Sequence, residues 1–139
     1  MEHIAYCESK AKELDNLLAG NKNMLIRGAT GRKLPHGRVS PGETVYLLEN
    51  DGSGIIKAKG IVSDVFHSEA LTPEESASLI ESHMDRLKLT EAQKKRWSGK
   101  RFLCLVGLES ITKVEPFSYV REKNMDDWII VNTIDEVRG

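Results

Sequence analysis

With 139 residues, 40% of them hydrophobic and 29% charged, the chain has the size and composition of one globular domain with a real core, which excludes a disordered segment. No apolar run approaches the roughly 18 residues that a membrane span needs, and the polar opening "MEHIAYCESKAKELDN" lacks the apolar core of a signal peptide, so the sequence points to a cytoplasmic protein with no membrane partner. The formal net charge of −1 is uninformative as a total, and two cysteines far apart, Cys7 and Cys104, indicate neither a disulfide framework nor a zinc site.

Along the chain, Ile4, Cys7, Ala11, Leu14 and Leu18 recur at helical spacing and Gly20 is a natural stop. The spacing predicts an amphipathic helix over His3–Ala19, an N-terminal extension (residues 1–20) ahead of a single domain (21–139). Its apolar stripe either packs on that domain or takes a second copy or a protein partner. "MLIRGA" reads as a short strand running into the glycine-rich "GATGRKLPHGR". "SPGETVYLLEN" gives a Pro-Gly turn and a strand over Thr44–Asn50, which "DGSG" connects as a hairpin to "IIKAKGIVSDVF". Ile56, Ala58, Gly60 and Val62 alternate with Lys57, Lys59 and Ile61, and Gly60 marks a bend of the kind that small barrels need.

Two capped helices are predicted next. "TPEE" supplies Thr72 as N-cap, Pro73 in the first turn and Glu75 for a capping box, with Ala77, Ile80, Met84 and Leu87 as the buried stripe. "TEAQ" repeats the device with Thr90 and Gln93, and Gly99 ends that helix. "RFLCLVGLESI", apolar on both faces, reads as a central strand, and "WIIV" (Trp128–Val131) as another. The expected class is α+β: a small mixed β-barrel with an N-terminal helix and two inserted helices.

Charge is distributed unevenly along this pattern. Leu17–Gly42 holds five cations (Lys22, Arg27, Arg32, Lys33, Arg38) and no acid, and Ala92–Arg101 holds five more (Lys94, Lys95, Arg96, Lys100, Arg101). All 21 acidic residues lie outside these segments. Such polarisation suits an anion-binding face on an otherwise acidic protein, or two solvated patches pointing in different directions.

Within "GRKLPHGR", Gly31, Lys33 and Arg38 match three fixed positions of the Gly-x-Lys-x-x-Glu-x-Arg motif of the ASCH domain family, in the PUA-like superfamily; His36 stands where the motif has glutamate. The resemblance covers about Met24–Val131, because the Pro-Gly turn, "VYLLEN", the inserted helices and "KRFLCLVGL" follow in the family's order. It implies a PUA-like pseudo-barrel with a cleft, similar to domains proposed to bind RNA or modified bases. Some small ASCH-like proteins are amidohydrolases of acylated cytidine, which by resemblance makes Lys33 the catalytic lysine. That subfamily has a hydroxyl three positions after the lysine, where this chain has His36; Thr30 and Glu49 are the other hydroxyl and acid at hand.

Chemistry adds a residue-level expectation. Arg27, Arg32, Lys33, Arg38, Lys100 and Arg101 are candidates for phosphate, His36 and Asn50 for hydrogen bonds near a base, and Trp97 for stacking. Trp97 suits a helix anchor equally well, and Trp128 suits the barrel core. His67 and His83 are isolated in sequence, Asp126 and Asp127 read as a solvated turn, and no cofactor or metal is expected.

Overall fold

The computed structural model describes residues 1–121 and 126–139. In chain order the elements are β1 (Glu2–Cys7), α1 (Glu13–Ala19), β2 (Met24–Ala29), β3 (Thr44–Glu49), β4 (Ile55–His67), α2 (Pro73–Ser82), α3 (Met84–Leu87), α4 (Glu91–Trp97), β5 (Phe102–Ser118) and β6 (Trp128–Val131), then a 3-10 turn at Ile134–Glu136. The strands form one sheet in the order β2-β5-β4-β3-β1-β6, curled into a half-barrel. Neighbours are antiparallel except β1 and β3, which run parallel from Glu2↔Thr44 to Cys7↔Glu49.

The two long strands, of 13 and 17 residues, produce the curl. Their pairing shifts register three times, once between Lys59 and Ile61 at the predicted bend of Gly60. Each shift adds twist, so the pair bends instead of lying flat. Phe102–Gly107 is apolar on both sides because alternate residues serve two cores. Cys104 and Val106 pack inside the half-barrel with Leu25, Val45, Leu47 and Trp128. Leu103 and Leu105 face outward, onto Met24, Ile26, Ile80, Leu87 and Trp97 under the helices.

The predicted N-terminal helix is corrected at its start. Residues 2–7 are a strand between β3 and β6, and only Glu13–Ala19 is helical. Ile4 through Cys7 are all buried, as in a strand covered on both faces, and Lys12 adopts a left-handed conformation (φ 52°) that separates strand from helix. Leu14 and Leu17 of α1 belong to the inner core, so the helix spends its apolar side on the sheet. Gly20, at φ 80°, caps it where the sequence indicated.

Both capping boxes form: Thr72 Oγ1 accepts from Glu75 N at 3.1 Å and Thr90 Oγ1 from Gln93 N at 3.2 Å. The stripe predicted for one helix is split at His83 into α2 and α3, with Ile80 and Leu87 still fully buried. No helix among the described residues is long and apolar enough to cross a membrane.

Candidate functional site

The ends of β1, β2 and β3 open onto a cleft of about 340 Å³, roofed by α4. Tyr6 and Glu8 come from β1 and the turn after it, Glu13 from α1, Arg27 and Gly28 from β2, and Asn50 from the turn after β3. Lys33 and Leu34 enter from the glycine-rich loop, Gln93, Arg96, Trp97 and Lys100 from α4 and its exit, and Asp127 from the approach to β6.

Its floor is buried and charged. The Arg27 side chain, 8% exposed, donates from Nη1 to the Ile26 carbonyl (2.8 Å) and from Nη2 to the Tyr6 carbonyl (2.6 Å). Nε lies 3.2 Å from Asp127 Oδ2 but off-line for a hydrogen bond. Arg27 thus ties β2 to β1 and stations a positive charge behind Asp127. Glu13, 5% exposed, accepts from Lys22 Nζ at 2.8 Å and Gln93 Nε2 at 3.0 Å. Burial pushes its carboxyl up, but the charges of Lys22 and Arg27 with these hydrogen bonds outweigh burial and hold it below the usual carboxylate range.

At the mouth the cations are exposed. Lys33 Nζ lies 3.3 Å from Asp126 Oδ1. Arg96 bridges Glu8 (3.1 Å) and Asp127 (3.7 Å), and its guanidinium carbon sits 4.4 Å from the centre of the Trp97 ring. Tyr6 packs edge-on to Tyr119 and shares a hydroxyl hydrogen bond with it.

Of the residues singled out from sequence, Arg27, Lys33, Asn50, Trp97 and Lys100 line this cleft. Arg32, His36, Arg38 and Arg101 do not. Arg32 and Arg101 lie over the Phe102 ring, at 5.3 and 5.4 Å, and Arg32 pairs with Glu69 at 3.5 Å. His36 donates to the Ser68 carbonyl (2.8 Å), its ring 5.2 Å from that of His67. Arg38 is exposed. Thr30 is exposed outside the cleft and Glu49 pairs with Lys57 (3.2 Å), so the hydroxyl and acid considered beside Lys33 are dispersed. Trp128 is fully buried and donates to His3 Nδ1 at 3.1 Å. Asp127 lines the cleft rather than a free turn, while Asn124 and Met125 of "NMDDW" lie outside the described residues.

Sequence reasoning did not assign Tyr6, Glu8, Glu13, Gln93, Arg96 or Asp127 to the site. Gln93 carried the signal of a capping box, Arg96 that of the basic segment and Asp127 that of an acidic turn, while Tyr6, Glu8 and Glu13 carried none.

Two solved structures share this architecture. The ASCH protein of Zymomonas mobilis aligns at TM-score 0.64 and 11% identity, over 84% of this chain and 73% of that one. A mutant form of it aligns at TM-score 0.72 and 9% identity, over 97% and 91%. The chain has the ASCH fold. At such identities the likeness is one of fold alone, and no family model or curated protein matches the sequence. Within the ASCH fold, the motif position Lys33 stands at the cleft and Arg38 outside it.

Proposed function

We propose that this chain binds single-stranded RNA, holding one nucleotide in the cleft with the neighbouring phosphates on the cations at its mouth. The observation that carries the reading is the layering of the cleft. Lys33, Arg96 and Lys100 are exposed at the rim, while Tyr6, Trp97 and Glu13 are buried beneath them. Exposed cations suit phosphate, which gives affinity without identity; buried polar and aromatic groups suit a base.

The Trp97 face is already covered by the Arg96 guanidinium, so the stacking surface offered to a base is Arg96, backed by the indole. Asn50, exposed at the rim, supplies an amide. Lys100 adjoins Arg101, which with Arg32 continues the cationic surface over Phe102 and gives a polymer a path out of the cleft. The ASCH resemblance, with its link to RNA and modified bases, supports the same reading.

Titration of a fluorescent single-stranded RNA at two or more salt concentrations tests it. Binding should weaken as salt rises, and Lys33→Ala with Lys100→Ala should lower affinity and reduce the logarithmic salt slope by about 1.4, two phosphate contacts' worth. Absence of binding at low salt, or an unchanged slope in the folded double variant, would overturn the proposal.

A further inference from the structure

A buried carboxylate is costly to keep ionised, and the fold retains one at the floor of the cleft with half of its hydrogen-bonding capacity unused. Both donors to Glu13, Lys22 Nζ and Gln93 Nε2, converge on the same oxygen, Oε2. The other oxygen, Oε1, has no hydrogen bond to any described residue and is not sealed from solvent, and Glu13 lines the cleft.

The arrangement is locked from behind. Gln93 Oε1 accepts from the backbone N–H of Thr90 at 3.0 Å as part of the α4 capping box, so its NH2 end has to face Glu13. Lys22 is 3% exposed and its ammonium is committed to the same carboxylate. Arg27, the nearby guanidinium, is spent on two backbone carbonyls. What the cleft floor presents to a ligand is therefore a fixed, ionised acceptor that needs an N–H donor.

We infer that Glu13 is the specificity-determining acceptor of the cleft, selecting nucleotides whose base carries an exocyclic amino group and rejecting uracil. The inference rests on the nucleotide-binding reading above. Cytosine and adenine bring an NH2 group to a charged acceptor. Uracil flanks its one N–H with carbonyl oxygens, which the carboxylate repels. A hydrogen bond to a charged, desolvated partner corresponds to roughly 10- to 100-fold in affinity.

The test compares short oligomers of cytidine, adenosine and uridine by fluorescence anisotropy at low salt, with the intact protein, Glu13→Gln, and Glu13→Gln combined with Lys22→Met. The double variant guards against the buried ammonium that Glu13→Gln leaves unpaired; circular dichroism checks the fold of each. The intact chain should favour cytidine and adenosine by the stated factor. In the variants Gln93 holds the carbonyl end of the introduced amide, turning its NH2 toward the cleft, and the preference should level or swing to uridine, a reversal that a merely structural role for Glu13 does not produce. Equal binding of all three oligomers by the intact chain, or a persisting amino preference in a folded variant, overturns the inference and leaves RNA binding standing. Equal weakening of all RNAs with DNA binding untouched assigns Oε1 to a 2′-hydroxyl and overturns it too. No binding of any oligomer overturns the nucleotide reading and this inference together.

Discussion

His67, isolated in sequence, is placed by three backbone and side-chain neighbours. Gly37 N–H donates to its Nδ1 at 2.8 Å and its Nε2 lies 3.3 Å from the Val39 carbonyl, which fixes the neutral ring with its proton on Nε2; Cys104 Sγ is 3.5 Å from Nδ1. His3 follows the same rule, accepting from Trp128 at Nδ1 and donating to Glu43 from Nε2. Burial pushes both imidazoles below the ordinary value, with His36 adding to the effect at His67 and Glu43 opposing it at His3. Below about pH 6.5 the unfolded chain therefore takes up protons that the folded chain resists, so stability is full above that pH and falls as the pH drops. The melting temperature should be lower at pH 5.5 than at 7.5; a flat profile would show that neither ring is held neutral. Burial likewise raises both thiols, Cys104 to about 12. Neither should react with a thiol reagent at neutral pH until the chain is unfolded, and a native-state signal would contradict that.

Elements show where periodicity misleads. The stripe Ile4, Cys7, Ala11, Leu14, Leu18 fits a helix, yet Ala5 and Tyr6 are as buried as their neighbours, and a strand covered on both faces leaves no alternation to detect. The capping boxes were legible because their bonds are local. The cleft was not, since Glu13 on α1, Gln93 on α4 and Asp127 before β6 come together only in the folded chain; of its members, Lys33 stood out by a motif and Arg27, Arg96, Trp97 and Lys100 by basic segments. Gly107 is equally silent in sequence, but the Asp64 carboxylate lies over it, held by Arg86 Nη1 and Nη2 at 2.8 and 2.9 Å. Arg86, on α3, also donates to Asn23 (2.8 Å) and pulls Asp64 down to about 2. A Cβ at Gly107 would fall on this pair and force the Asp64 carboxylate and Arg86 guanidinium to move apart, so Gly107→Ala should cost about 1–3 kcal/mol in urea denaturation. A loss below the error of that measurement would mean the pair swings aside freely.

For the molecule as a whole, the decisive strand is the first. β1 lies between β3 and β6 and supplies Ile4, Ala5, Tyr6 and Cys7 to the cores on either side of the sheet. Removing residues 1–20 should therefore yield an insoluble or unfolded chain, by expression and circular dichroism, and not a trimmed but intact domain. A soluble 21–139 fragment with the melting temperature of the full chain would refute this and restore the extension read from the sequence.

The same strand pairs Glu2 with Val131 and Ala5 with Trp128, across almost the whole sequence. During synthesis β1 is made before β6, so one edge of β1 waits with open N–H and C=O groups while the intervening strands are made. The β3-β4 hairpin closes a short loop early, whereas bringing Asp127 against Arg27 closes a far longer stretch of chain. A nascent chain that has not yet delivered Trp128–Val131 already carries the glycine-rich loop and every basic residue of the cleft, but the cleft lacks a wall. The acidic wall of the cleft and the outer edge of β1 are thus closed by one and the same late-made segment, so the site and the sheet are completed in a single step.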